Sequence, residues 1–78
     1  MVWMYLLHHD ERRTTYAYRP EREDAPRGIV SLVDDRGRID ELAPDDELKW
    51  YAQHAIYGIR KMLEEGGDLP ERTYRAWY

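Results

Sequence analysis

Residues 48–63, LKWYAQHAIYGIRKML, decide the fold. At 100° per residue, Leu48, Ala52, Ala55, Ile59 and Leu63 fall on one stripe with Tyr51, Ile56 and Met62 along its edges, which is the pattern of an amphipathic helix. Pro44 followed by Asp45, Asp46 and Glu47 marks its start: proline sacrifices no hydrogen bond in a first turn, and carboxylates face the positive end of the helix dipole. Gly66 and Gly67 mark its stop. The predicted helix, Asp45 to Glu65, is about 30 Å long. Its second side carries Trp50, Gln53, His54 and Tyr57 before the charges at 60, 61 and 64. Trp50 and Tyr57, seven residues apart, project in nearly the same direction, where a solvated helix face would be polar.

Upstream of the helix the period changes from 3.6 to 2. RTTYAYR, residues 13–19, alternates Thr14, Tyr16 and Tyr18 against Thr15, Ala17 and Arg19, and so predicts a strand. GIVSLV, residues 28–33, is apolar almost throughout and predicts a central strand. The turn DDRG follows, with Gly37 available for positive φ, and Arg38 to Leu42 should return as the hairpin partner. Residues 20–27, bounded by Pro20 and Pro26, lack both periodicity and apolar surface and read as a solvated loop. Residues 1–12 read as an apolar strand or arm. The run Val2 to Leu7 is too short for a signal core or for the ~20 residues of a spanning helix. PERTYRAWY at the C-terminus alternates again, as a last strand or a docked tail. The expected architecture is α+β in a single domain, 1–78: a small antiparallel sheet of three to five strands with one long helix packed across one face.

At 78 residues such a domain buries only about 60% of the surface its unfolded chain exposes, so its core is thin. With no cysteine, disulfides and thiolate zinc sites are closed as sources of extra stability, and the composition fits a reducing cytoplasm. Twelve basic and sixteen acidic side chains give a net charge of −4, which disfavours nucleic acid and anionic membrane as partners. Net charge can still hide a local patch. The ten aromatic residues are three Trp and seven Tyr with no Phe, each an apolar body with a polar tip, suited to core margins and interfaces.

Catalytic chemistry finds little support. His8 and His9 are adjacent, and in a strand they point to opposite faces, so they do not converge on a metal. His54 has no paired histidine or carboxylate at i+4. Ser31 is the single serine and lies within a strand, outside any nucleophile elbow. Asp34 with Asp35 and Asp45 with Asp46 occupy a turn and a helix start, where acids are favoured conformationally. The reading is of a non-catalytic protein without cofactor, metal or small-molecule substrate.

The runs GIVSLVDDRGRI, YAQHA, LP and AWY are similar to those of a type of short uncharacterised bacterial protein with a hairpin, a helix holding a tyrosine and a His-Ala pair, and an aromatic terminus. The resemblance spans Thr14 to Tyr78. It implies this architecture and a bacterial origin, and no activity or catalytic residue.

The partner expected from these residues is the protein itself, as a homodimer, or another protein, with Trp50, Gln53, His54, Tyr57, Gly58 and Trp77 as the contact surface. Gly58 costs about 1 kcal/mol in mid-helix relative to Ala, which asks for a backbone or ring approaching closely. Two rival covers for Trp50 and Tyr57 come from within the chain: the N-terminal arm and the AWY tail. The alternative function is a nucleic-acid-binding sheet, with Tyr16 and Tyr18 stacking on bases while Arg13 and Arg19 contact phosphate.

Overall fold

The structure, a computed structural model, describes residues 1–76. Five antiparallel strands form one sheet: β1 (Val2–His9), β2 (Arg13–Pro20), β3 (Gly28–Val33), β4 (Arg36–Glu41) and β5 (Arg72–Arg75). The single helix among the described residues, α1 (Trp50–Glu65), lies between β4 and β5 in sequence. The strand order is β4-β3-β2-β1-β5, so the N-terminal segment becomes an internal strand rather than an arm over the helix.

Alternation decides which side chains meet α1. Met4 pairs with Tyr18, Tyr16 with Val30, and Val30 with Ile39. Val2, Met4, Tyr16, Tyr18, Val30 and Leu32 cluster with Ala52, Ala55 and Ile59 as the core. The Tyr16 hydroxyl donates to the Pro70 carbonyl at 2.7 Å, which ties the central strand to the segment entering β5.

The helix starts later than its sequence implies. Turns at residues 44–45 and 47–48 come first, Lys49 takes a left-handed conformation (φ 63°), and α1 begins at Trp50. The reason is Asp46, buried to 2% exposure. Its Oδ1 accepts from the Tyr51 amide at 3.1 Å, and its Oδ2 accepts from the Ala52 amide at 2.9 Å and the Tyr18 hydroxyl at 3.0 Å. The carboxylate therefore caps the helix from outside it, satisfying amides that a first turn leaves without partners. In consequence Leu48 leaves the expected core stripe and is 67% exposed, and Leu63 is exposed at the other end. At that end Gly66 and Gly67 take φ of 76° and 83° and terminate the helix as expected.

The β3–β4 hairpin closes differently from expectation. Asp34 and Asp35 hold the positive φ, 48° and 69°, in a two-residue turn between the paired Val33 and Arg36. Gly37 instead sits within β4, where a Cβ would lie 2.6 Å from Ile56 Cγ2. Arg12 braces the turn by donating to the Asp34 carboxylate, through Nη2 at 3.0 Å, and that pairing lowers the Asp34 pKa.

The β1–β2 turn is organised by Asp10, whose Oδ1 accepts from the amides of Arg12 and Arg13, both at 2.8 Å. Its Oδ2 meets His8 Nε2 at 2.8 Å. Together these bonds, that of His8 first, pull the Asp10 pKa down to about 2. His9 bonds Thr14 instead.

The loop over residues 21–27 wraps the end of the sheet. Glu21 accepts from the Tyr51 hydroxyl on the helix side at 2.7 Å. Glu23 accepts from Arg72 at 2.6 Å, and the Ala25 carbonyl accepts from Arg19 at 2.6 Å.

Candidate functional site

Trp50 at 62% and Tyr57 at 54% exposure stand on the outer side of α1. Seven residues of helix set them about 10 Å apart along the axis. Trp50, Gln53, His54 and Tyr57 form one wall of a groove of about 410 Å³, and Arg75 and Ala76 at the end of β5 form the other. The sequence-derived contact residues thus come together in space, with two exceptions.

The first exception is Gly58. It is buried, and the space a side chain would fill is occupied by Arg75, whose Cδ would overlap a Cβ at that position. Gly58 does serve a close approach, but by this chain's own arginine rather than by a neighbour, so it lies beneath Arg75 and is not open to a partner. The second is Trp77, which lies outside the described residues.

Arg75 and Ala76 were not legible as groove residues from sequence. The available signal was Gly58 itself: a glycine that costs helix stability implies an occupant, and β5 supplies it. The groove is mixed in chemistry. Rings of Trp50 and Tyr57 offer apolar area, while Gln53 and Arg75 carry donors and Lys61 Nζ stands 5.9 Å from the Tyr57 ring centroid. Among the described residues no group of three or more His, Asp or Glu side chains is placed to hold a metal ion, and no helix is long and apolar enough to cross a membrane.

The sheet-stacking alternative meets a geometric obstacle. Tyr16 and Tyr18 are both 0% exposed beneath α1, so neither ring has a face open to a base. Burial also pushes both phenols up to about 12, for Tyr18 with the Asp46 carboxylate adding to the rise. Arg13 and Arg19 alternate with these tyrosines and lie on the other side of the sheet. The strand assignment was correct in alternation, but the helix covers the tyrosine side.

The N-terminal segment is equally removed from the groove, because β1 is paired on both edges, with β2 and β5. Among the described residues the groove at the helix surface is edged by Arg75 and Ala76, and no residue of β1 lines it. No family model, curated protein or solved structure matches this chain.

Proposed function

We propose that the protein is a non-catalytic interaction module that self-associates, as a homodimer, through the outer face of α1. The observation that carries this reading is the pair of large aromatic side chains, Trp50 and Tyr57, more than half exposed on one side of the only helix among the described residues. Leu48, 67% exposed just before the helix, lines a neighbouring hollow together with Trp50. Tyr and Trp are the residue types that concentrate binding energy at interface centres, and a polar rim of Gln53, His54 and Arg75 suits the margin of such a contact. A two-fold axis across α1 would set the Trp50 of one copy toward the Tyr57 end of the other, making the surface self-complementary. A thin core adds the thermodynamic motive, since burying this face stabilises a domain with little interior. A cytoplasmic location belongs to the same reading and is supported by the absence of cysteine.

Light scattering over a concentration series tests it. The expected result is a mass rising from one to two chains in the micromolar range, with Trp50→Glu shifting the midpoint at least about thirtyfold, the effect of losing ~2 kcal/mol. A monomer at high micromolar concentration, indifferent to Trp50→Glu, would defeat the self-association.

A further inference from the structure

The sheet face turned away from α1 has its own composition. On β1, Trp3 and Tyr5 alternate with the core residues Val2 and Met4 and so point outward. Trp3 pairs across the strand with Tyr74 of β5, their ring centroids 5.2 Å apart, and Tyr74 is 56% exposed. Arg72 stands over the Trp3 ring at 5.4 Å and Arg19 over the Tyr5 ring at 5.8 Å. Further along the same face, Arg13 donates to Thr15, Thr15 bonds Ser31, Ser31 donates to Asp40, and Arg38 pairs with Asp40 at 3.6 Å. Register adds Arg36, opposite Val33.

Charge is distributed unevenly between this face and the whole chain. The net charge of the chain is −4. Yet arginines 13, 19, 36, 38 and 72 share a surface whose own acids are Asp40 and Glu41, with Glu23 at its rim bound to Arg72. Between the arginines lie small buried side chains, Ala17, Thr15 and Ser31, which keep the middle of the face flat. The aromatic rings gather at one end, on β1 and β5, and the arginines of β4 at the other.

We propose that this face binds single-stranded nucleic acid, with Tyr74, Trp3 and Tyr5 stacking on bases while Arg36 and Arg38 contact phosphates. Every base presents a π-face to such rings without sequence preference, and the guanidinium planes of Arg72 and Arg19, which lie over the Trp3 and Tyr5 rings, offer stacking surfaces of their own. A duplex hides its base faces, and an acidic peptide would use the arginines but not the rings. The charge asymmetry supplies the complementarity that the chain as a whole lacks, and the surface is separate from the helix groove proposed for self-association.

The test is fluorescence anisotropy of a labelled oligothymidylate of about ten nucleotides, beside the same sequence as a duplex and a labelled polyglutamate. Saturable binding to the single strand is expected at low salt, weakening as salt rises with a log–log slope of about 1.4, or about 0.7 for each of the two phosphates neutralised. Tyr74→Ala and the double variant Arg36→Glu/Arg38→Glu change exposed residues of edge strands and should fold, as circular dichroism would verify. Each is expected to weaken binding about tenfold or more, consistent with the loss of one stacked base or of two phosphate contacts. No saturable binding at low salt, equal affinity for duplex or polyglutamate, or unchanged affinity in both variants would overturn the proposal.

Discussion

Arg75 lies across Gly58, its Cδ in the space a methyl group at position 58 would need and its Nε 3.0 Å from that position. An edge strand and the middle of a helix are joined by an arginine stem packing on a bare backbone. Two opposing terms follow. Alanine would favour the helix by about 1 kcal/mol, and the displaced arginine would cost a comparable amount. Gly58→Ala should therefore be near neutral or destabilising in the native chain, and stabilising by about 1 kcal/mol in an Arg75→Ala background. Urea unfolding of the four proteins of this double-mutant cycle checks it. Equal effects in both backgrounds would show that the contact carries no energy.

Asp46 anchors the other end of the helix. Its carboxylate takes three hydrogen bonds, from two backbone amides and the Tyr18 hydroxyl, and Tyr18 in turn accepts from the Ala43 amide at 3.0 Å. Asp46→Ala is expected to destabilise by about 2 to 4 kcal/mol, more than a surface cap, because it leaves a buried hydroxyl and two amides without partners. Asp45→Ala, one residue away and exposed, should cost less than about 0.5 kcal/mol. Chemical denaturation of the pair decides whether the buried acid or the acidic run as a whole sets the start of the helix.

Alkaline pH should unfold the protein through its buried phenols. Tyr16 and Tyr18 are raised from 10.0 to about 12 by burial, and Tyr51 is raised to about 12 chiefly by its hydrogen bond to Glu21. In each case the folded state holds the proton more tightly than the unfolded chain. Stability from this source is complete below pH 10, where both states are protonated, and is lost between about pH 10 and 12 as the unfolded chain ionises first. The loss is expected to reach about 2 kcal/mol for each of the two core tyrosines by pH 12. Melting temperature against pH measures it. Tyr16→Phe should flatten its share of the slope, and an unchanged slope would contradict the assignment.

Much of this structure was legible in the sequence, and the failures have particular causes. The period-two run at 13–19 became a strand because its alternation has a covered side, the near-continuous apolar run at 28–33 became a strand paired on both edges, between β4 and β2, and Ala52, Ala55 and Ile59 became core because 3.6-residue spacing leaves them one place to go. The helix start was misplaced because an acidic run near a proline fits a first turn as well as the turn before it. Only the position of Tyr18 beneath the helix, a long-range fact, turns Asp46 inward. Gly37 was misread for a similar reason: Asp34 and Asp35 tolerate the left-handed region well enough to make the turn, and the glycine is needed where Ile56 packs. Aromatic residues at 50 and 57 marked the outer helix face through local geometry alone, whereas Arg75 joins them only through the pairing of β5 with β1.

The central claim, that the outer face of α1 is a contact surface between copies, is tested most directly by recording amide resonances across a dilution series from millimolar to low micromolar protein. The account predicts concentration-dependent shifts concentrated at Trp50, Gln53, His54, Tyr57 and Arg75, absent from the outward face of β3 and β4, and abolished in Trp50→Glu. Spectra that stay superimposable across the series, or shifts that spread over the sheet while α1 stays fixed, would contradict it.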